Sequence, residues 1–449
     1  MNISLSELNN TPVLDPLYSK EYYDQSGLPL RIYTSPLTIQ EEEREKQLLS
    51  LNGIHTENEL NRLRKKYRLF ICQRDCFALF EWKSRRNGQP LLKVNTGNPS
   101  LYKWQRINHT FATKEMKKIL KLAARALYIL GYDLGMVEIS VFRDAPRYCV
   151  TKLSSRPLLS KRYESLLNSQ YDKTVKWLQE ESIKEYDPIL GADLEFVLRH
   201  ASGKYVVASK YFSKDGEVGY DSVRLRGQRN QYPLAELRPK PSSEPQELLS
   251  NIYTCMLTAI KKINNRKIEW LAGGQPLKSY PIGGHIHFSK VPLTMKLIRA
   301  LDNYLTLPLF LLESETSLSR RPKYGFIGDY REQFHGGFEY RTPPSWIVSP
   351  RIAIGVLSLA KVIASNHSQL TWMPLNNYDV QEAFLLGDKQ RIFPVVLSLW
   401  EALRRCNTYT KYKQYLDSFF RLIENRETWD EYADIRKEWR LPPFHKQSS

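Results

Sequence analysis

Two histidines stand two residues apart in Gly283-Gly284-His285-Ile286-His287-Phe288, and polar pairs with the same spacing recur on both sides. Upstream are Asp193 and Glu195 in Gly191-Ala192-Asp193-Leu194-Glu195-Phe196, then Glu236 and Arg238 in Ala235-Glu236-Leu237-Arg238-Pro239. Downstream are Glu339 and Arg341 in Gly337-Phe338-Glu339-Tyr340-Arg341-Thr342-Pro343-Pro344. Alternate side chains of an extended strand share a face. Four strands built this way offer a floor of metal ligands and cations, not a hydrophobic core. Two carboxylates on one face repel and need positive partners. A lone Asp-x-Glu is more often a salt-bridged surface strand, but Leu194, Phe196 and Val197 around this one predict a half-buried position. Magnesium suits such carboxylates, being hard and oxygen-seeking. An imidazole can ligate a metal or donate to a phosphate. Arg238, Arg321, Arg331 and Arg341 lie in or beside the motifs, and their planar forks match phosphate oxygens. Zinc hydrolysis is the competing use of such residues, but the excess of carboxylates and the arginines favour magnesium with phosphate. The Gly283-Gly284 pair is expected to let a ligand approach the backbone.

These residues need a sheet to hold them. Strands are expected over 191–199, 205–208, 234–238 and the histidine stretch, with turns at 201–204 and 214–216. Ser243 is expected to cap a helix from Pro245 to about Asn264, and an apolar helix should run unbroken from Met295 to Leu312. Residues 324–331 and 337–341 close the site. Helices follow near 351–365, 379–405 and 410–438, and their aromatics at helical spacing mark core. Upstream, a hairpin over 68–72 and 76–82 turns at 73–75. A helix spans 114–130, strands cover 136–141 and 148–153, and a charged helical connector covers 163–184. Pro12, Pro16, Pro29 and Pro36 break up the first segment, and a short helix begins near Glu41. The expected division is an N-terminal segment (1–58), a small α+β module (59–160), a helical connector (161–186), a central catalytic domain (187–350) and its helical C-terminal part (351–449).

The 449 residues carry a net charge of +18 and 42% hydrophobic residues. No run is apolar and long enough to span a bilayer. Met1-Asn2-Ile3-Ser4 does not start a basic-then-apolar segment, so no secretory signal is expected. Five scattered cysteines fit a reducing compartment, the bacterial or phage-infected host cytoplasm. Cys72 and Cys76 have no second pair to complete a zinc site and are expected to be idle thiols. No nucleic-acid-binding motif is present, so the charge is better matched to an anionic substrate such as a nucleotide or an acidic polypeptide.

Taken together, Gly-x-Asp-x-Glu-Phe, Glu-Leu-Arg-Pro, Gly-Gly-His-x-His-Phe, Tyr324-Gly325-Phe326-Ile327-Gly328-Asp329-Tyr330-Arg331 and Gly337 to Ser345 resemble the phage-type carboxylate–amine ligases, COOH-NH2 ligase type 2. These amidoligases share their fold with glutamine synthetase and glutamate–cysteine ligase. The resemblance covers residues 187–350. It implies an α+β fold: a curved antiparallel sheet around an active-site funnel, flanked by helices. It implies that Asp193, Glu195, Glu236, His285 and Glu339 hold two or three magnesium ions. His287, Arg331 and Arg341 would face the transferring phosphate as catalytic groups. Arg238, Arg321, Tyr324, Asp329 and Asp221 would contact nucleotide or substrate. In the family a Gly often follows the residue matching Asp221. Here Ser222 and a basic insertion, Arg224 to Arg229, stand instead and are expected to reshape the pocket.

A second resemblance covers about a hundred residues upstream. Ala124 to Glu138 and Val150 to Pro157 are similar to the C-terminal half of an ATP-grasp ligase. Glu138 falls at that family's acidic position, but Lys152 and Ser154 stand where its metal-binding Glu and Asn should be. A lysine repels magnesium, so the module is expected to be a non-catalytic remnant that binds a peptide or partner. An unrelated α+β module is the alternative.

The expected activity is an ATP- and magnesium-dependent ligase that joins a carboxylate to an amine through an acyl phosphate, with a peptide or protein among the acceptors. Two alternatives stay open: a phosphotransferase on the same scaffold, and a non-catalytic basic protein that binds nucleic acid or capsid.

Overall fold

The computed structural model describes residues 39–56, 63–84, 102–108, 113–143, 147–154, 161–321, 323–334 and 336–442. The prolines of the first segment and Pro157 lie outside the described residues. The architecture is α+β, with two antiparallel sheets and a helical C-terminal region.

The N-terminal part begins with helix α1 (Ile39–Leu51), followed by β1 (Leu63–Cys72), β2 (Asp75–Ser84), β3 (Tyr102–Arg106), α2 (Lys114–Ile129), β4 (Leu134–Phe142), β5 (Tyr148–Ser154) and α3 (Lys161–Ser182). Its five strands lie in the order β3-β2-β1-β4-β5. The β1–β2 turn is tighter than expected, because Gln73 takes a left-handed φ of 57°. Thr113 caps α2 by accepting from the Met116 N–H. The apolar stripe of α2, including Ile119, Ala123 and Leu127, packs on Leu69, Ile71, Val137 and Ile139 of the sheet.

The larger sheet contains β6 (Ile189–His200), β7 (Tyr205–Val206), β8 (Val218–Tyr220) and β9 (Leu234–Leu237). Then come α4 (Pro245–Ile263), β10 (Ile268–Leu271), β11 (Gly284–Ser289), α5 (Met295–Leu301) and α6 (Leu307–Leu312). The last strands are β12 (Tyr330–Glu332) and β13 (Phe338–Tyr340). Strand order is β12-β13-β11-β6-β9-β8, with β7 and β10 paired to β6. Strand β6 is the spine, and its two faces differ completely. Leu190, Ala192, Leu194, Phe196 and Leu198 enter the main core beneath the helices. Gly191, Asp193 and Glu195 alternate with them and point the other way. At the far end of that polar face, Val197, Leu234, Leu271 and Ile282 form a small apolar plug.

The tail carries α7 (Pro350–Asn366), α8 (Tyr378–Leu386), α9 (Lys389–Arg404), α10 (Tyr409–Glu424) and α11 (Ile435–Glu438). Helix α7 packs against α4, α5 and α10, and its buried face joins the main core. The tail also braces the loop after β10. Buried Glu431 accepts from the backbone N–H groups of Gly274 (2.6 Å) and Gln275 (3.1 Å).

Four sequence expectations change. The helix from Met295 is interrupted by one wide π-helical turn, Asp302–Thr306, closed by Leu307 N–H to the Asp302 carbonyl. Pro308 lacks the N–H that would continue a regular ladder. The stretch 379–405 divides at Gly387, which is left-handed at φ 83°, and Asp388 caps the second helix. The stretch 410–438 ends its first helix at Glu424. Ser243 does not cap α4. Glu244 occupies that position without a side-chain bond, and Ser242 Oγ accepts the Glu244 N–H instead. Among the described residues no helix is long and apolar enough to cross a membrane.

Candidate active site

Antiparallel register puts the polar residues of all four motifs on one face. Asp193 lies opposite His285 and Gly191 opposite His287. Glu195 faces Glu236 across β9, and His287 faces Glu339 across β13. Arg331 on β12 faces Glu339 in turn. Directly opposed residues in such pairs point to the same side, so one row of side chains crosses five strands. A Cβ at Gly191 would lie in ordinary contact with His287, 3.4 Å from its Cβ.

The row resolves into two clusters whose potential ligand atoms lie within 4.8 Å of one another: Asp193, His287 and Glu339, and Glu195, Asp221 and Glu236. In the first, His287 Nε2 sits 3.1 Å from Asp193 Oδ2, at an angle that leaves it without a good hydrogen bond although it is sealed from solvent. Burial opposes ionisation of Asp193, yet the neighbouring His287 holds it below the usual carboxylate range. His287 itself is raised, since the Asp193 carboxylate outweighs burial. Glu339 is fully buried, but His285, Arg341 and Arg331 overcome that burial and hold it down to about 2.

The second cluster behaves in the opposite way. Burial, then the nearby charges of Asp221 and Glu236, push Glu195 well above the usual range. Glu236 is pushed up to about 7, first by burial and then by Asp193, although Arg238 forms an ion pair with it. Three crowded carboxylates with too little positive charge between them will take up either protons or a cation.

His285 joins the two clusters. Its Nδ1 lies 3.0 Å from Glu339 Oε1, and its Nε2 lies 2.7 Å from the Tyr324 hydroxyl. Tyr324 also donates to Glu195 Oε1 at 3.0 Å. Burial drives His285 toward its neutral form. At the rim, Arg341 Nη1 approaches Glu339 Oε1 at 3.3 Å and Arg331 pairs with Oε2. The Arg341 N–H donates to the Asp329 carbonyl at 2.8 Å. Asp329 is itself buried, which raises its carboxyl.

Residues 190–441 match the sequence profile of the phage phiEco32-like COOH.NH2 ligase-type 2 family. The chain belongs to that family. No curated protein matches the chain. Among solved structures, a bifunctional glutathione synthetase from Pasteurella multocida aligns at 13% identity and a TM-score of 0.31. That alignment covers 52% of this chain and 47% of the synthetase, so the chain spans under half of that protein's length.

Some of the residues named from the sequence stand apart from the clusters. Arg321 is turned into the protein, where its guanidinium meets both Glu313 oxygens at 2.7 Å between the rings of Phe310 and Phe384. Arg238, besides pairing with Glu236, donates to the carbonyls of Lys214 and Gly216 at 3.1 Å each and so ties down the turn before β8. The glycine pair makes room for neighbouring parts of the protein. A Cβ on Gly283 would collide with the His285 ring, and one on Gly284 would lie 2.5 Å from the Pro344 carbonyl and Trp346 Cδ1.

The site also depends on a residue that the motifs did not single out. Arg320 is 1% exposed and donates to the carbonyls of Thr342 (2.6 Å), Pro343 (2.8 Å) and Arg341 (3.3 Å). Its guanidinium lies 4.9 Å from the centre of the Tyr324 ring. It therefore fixes the strand end that carries Arg341. The only sequence signal was the Arg320-Arg321 doublet, where a short 3₁₀ turn over Glu315–Arg320 decides which side chain turns inward to the site.

In the smaller sheet Glu138 is engaged differently. It accepts from Lys66 at 2.5 Å and Arg68 at 2.6 Å, and Lys152 stands opposite it in register. Burial pushes Cys72 to about 11 and Cys76 to about 12, so neither is poised as a nucleophile.

Proposed function

We propose that the protein is an ATP- and magnesium-dependent ligase that joins a carboxylate to an amine through an acyl phosphate. The observation that carries this reading is the pair of adjoining acidic clusters on one sheet face, linked by His285 and rimmed by Arg331 and Arg341. The donor set fits magnesium. It is dominated by carboxylates and contains no thiolate. His287 Nε2 is sealed from solvent with only the poorly angled Asp193 carboxylate beside it, and the raised acids of the second cluster call for positive charge.

Asp193, His287 and Glu339 would hold one ion, and Glu195, Asp221 and Glu236 another. This assignment exchanges the roles that the family resemblance gave the two histidines. Magnesium, when bound, neutralises charge on the nucleotide phosphates. Arg341 and Arg331 orient the phosphate that is transferred, their forks being suited to its oxygens. His285 and Tyr324 keep Glu339 and Glu195 at fixed positions, and positioning supplies much of the rate in such transfers. The substrate carboxylate attacks the terminal phosphorus and ADP departs. The amine then attacks the acyl carbon and phosphate departs, with the amine losing a proton.

The net charge of +18 favours acidic substrates, a peptide or protein among them. Five free cysteines favour a reducing cytoplasm. The ion pairs around Glu138 support a non-catalytic role for the smaller sheet.

Hydroxylamine is a suitable test amine, because an acyl phosphate converts it to a hydroxamate. The protein with ATP, magnesium and a panel of amino acids and acidic peptides should release ADP and form hydroxamate, and Glu339→Ala should do neither. ADP release with a stable phosphorylated product and no hydroxamate would indicate a phosphotransferase. ADP release equal to that of Glu339→Ala would remove the enzyme reading.

A further inference from the structure

A buried carboxylate ties the smaller sheet's helix to the site. Asp302 opens the π-helical turn between α5 and α6 and is 1% exposed. The Tyr128 hydroxyl, from the end of α2, donates to its Oδ2 at 2.6 Å. The Tyr340 hydroxyl donates to its Oδ1 at 2.5 Å, and the nearby Gly328 N–H favours the charged form of the same carboxylate. Tyr340 directly follows Glu339, and Gly328 directly precedes Asp329. One acid thus gathers a helix from the N-terminal part, the strand that carries Glu339, and the loop that carries Tyr324 and Asp329.

The packing agrees with the bonding. Gly328 has φ +74°, and a Cβ there would lie 2.5 Å from the Tyr128 ring. One turn earlier on α2, the Arg125 guanidinium lies 3.7 Å from the centre of the Phe326 ring. Phe326 is held from the other side, since Thr342 Oγ1 donates to its carbonyl at 2.9 Å. Arg299, in the turn before Asp302, donates to the Tyr128 carbonyl at 3.0 Å. The loop is therefore clamped between α2 and the end of β13. π-helical turns often mark functional positions, because the wider turn redirects side chains that a regular helix would place elsewhere.

We infer that Tyr128 and Arg125 are positioning residues for the active site, so that α2 and its sheet form one wall of the ligase site instead of a separate binding unit. The inference rests on the site proposed above. Tyr128 acts through Asp302 to hold Tyr340 and Gly328, and thereby Glu339 and Tyr324. Arg125 acts through Phe326.

Tyr128→Phe in the full chain removes the hydroxyl and keeps the ring against Gly328. The measurements are backbone hydrogen exchange of segments 324–331 and 338–342, and kcat and KM for ATP in the hydroxamate assay. Lys117→Ala, on the exposed face of α2, serves as control. Exchange in both segments should rise about tenfold while that of α7 is unchanged. The kcat should fall about tenfold with KM for ATP within about twofold. Asp302→Asn should open the same segments, which keeps the inference testable if Tyr128→Phe folds poorly. Unchanged exchange and kcat would overturn the inference, as would a rise spread over α7 and the whole chain. If local exchange responds but even the unmodified protein forms no hydroxamate, positioning stands and the ligase reading fails.

Discussion

Glu339 stands directly opposite His287 in the β11–β13 register, yet its Oε1 lies 3.0 Å from Nδ1 of His285. The carboxylate leans along the strand, so one acid belongs to the His287 cluster and is bonded to the residue that leads to the other. Arg331 and Gln333 Nε2, the latter at 3.1 Å, meet its second oxygen.

Glu339→Gln keeps the shape and removes the charge. The unmodified protein should gain thermal stability with added magnesium, because a ligand that binds only the folded state stabilises it. The variant should lose that gain, and hydroxamate formation should fall on the order of a hundredfold. A variant that keeps its magnesium-dependent rise in Tm would show that this carboxylate holds no ion.

The neighbouring arginines should separate in their effects. Arg320→Ala strands three backbone carbonyls beside the site, at a cost of about 1–3 kcal/mol, and should also lower turnover per folded molecule. Arg321→Ala leaves Glu313 buried and unpaired, which costs on the order of 3–5 kcal/mol. The double change Arg321→Met with Glu313→Gln should recover much of that stability and keep full turnover. Denaturant titration and the hydroxamate assay read the two quantities; loss of turnover in the double variant would return Arg321 to the substrate-binding set.

His367 should make the fold acid-sensitive. It is buried, and its Nδ1 lies 3.0 Å from the Ala364 carbonyl. Burial first, and then nearby Lys296, lower it to about 4, although the Ala364 carbonyl and Glu181 pull the other way. The folded state favours the neutral ring, so the unfolded chain takes up the proton first. Stability is complete above about pH 6.5 and is lost progressively as pH falls through 4, by up to about 3 kcal/mol. His367→Gln should flatten the pH dependence of urea midpoints in that window, and an unchanged slope would assign the acid sensitivity to other groups.

Gly284→Ala should be costly without touching any ligand. The added methyl meets the Pro344 carbonyl and Trp346 Cδ1 at 2.5 Å, and the Trp346 indole N–H donates to the Gly284 carbonyl at 2.9 Å. Overpacking of this kind costs about 1–3 kcal/mol. Near-native stability in thermal melts would mean that the Trp346 side relaxes easily.

The strands that hold the site were legible because a period of two is visible in sequence: Asp193 and Glu195, His285 and His287, Glu339 and Arg341 fall on one face. Which strand lies beside which was not legible, since register depends on contacts between residues 37 to 100 positions apart. The union of Asp221 with Glu195 and Glu236 depends on that register. The interruption at Asp302 was hidden because every residue around it is compatible with a regular helix until Pro308. The choice between Arg320 and Arg321 was hidden because two identical residues differ only in the direction a short turn gives them. The close packing around Gly283 and Gly284 was hidden because their neighbours, Trp346 and the His285 ring, are placed by the fold.

From Ala192 to Phe196 of β6, apolar and ionic side chains alternate. A single inserted residue there would rotate Asp193 and Glu195 beneath the helices and thrust Leu194 and Phe196 into the opening. The central strand is therefore intolerant of length changes. The segment between Asp221 and Gln231, which adjoins the second acidic cluster and does not pass through the spine, is free of that constraint.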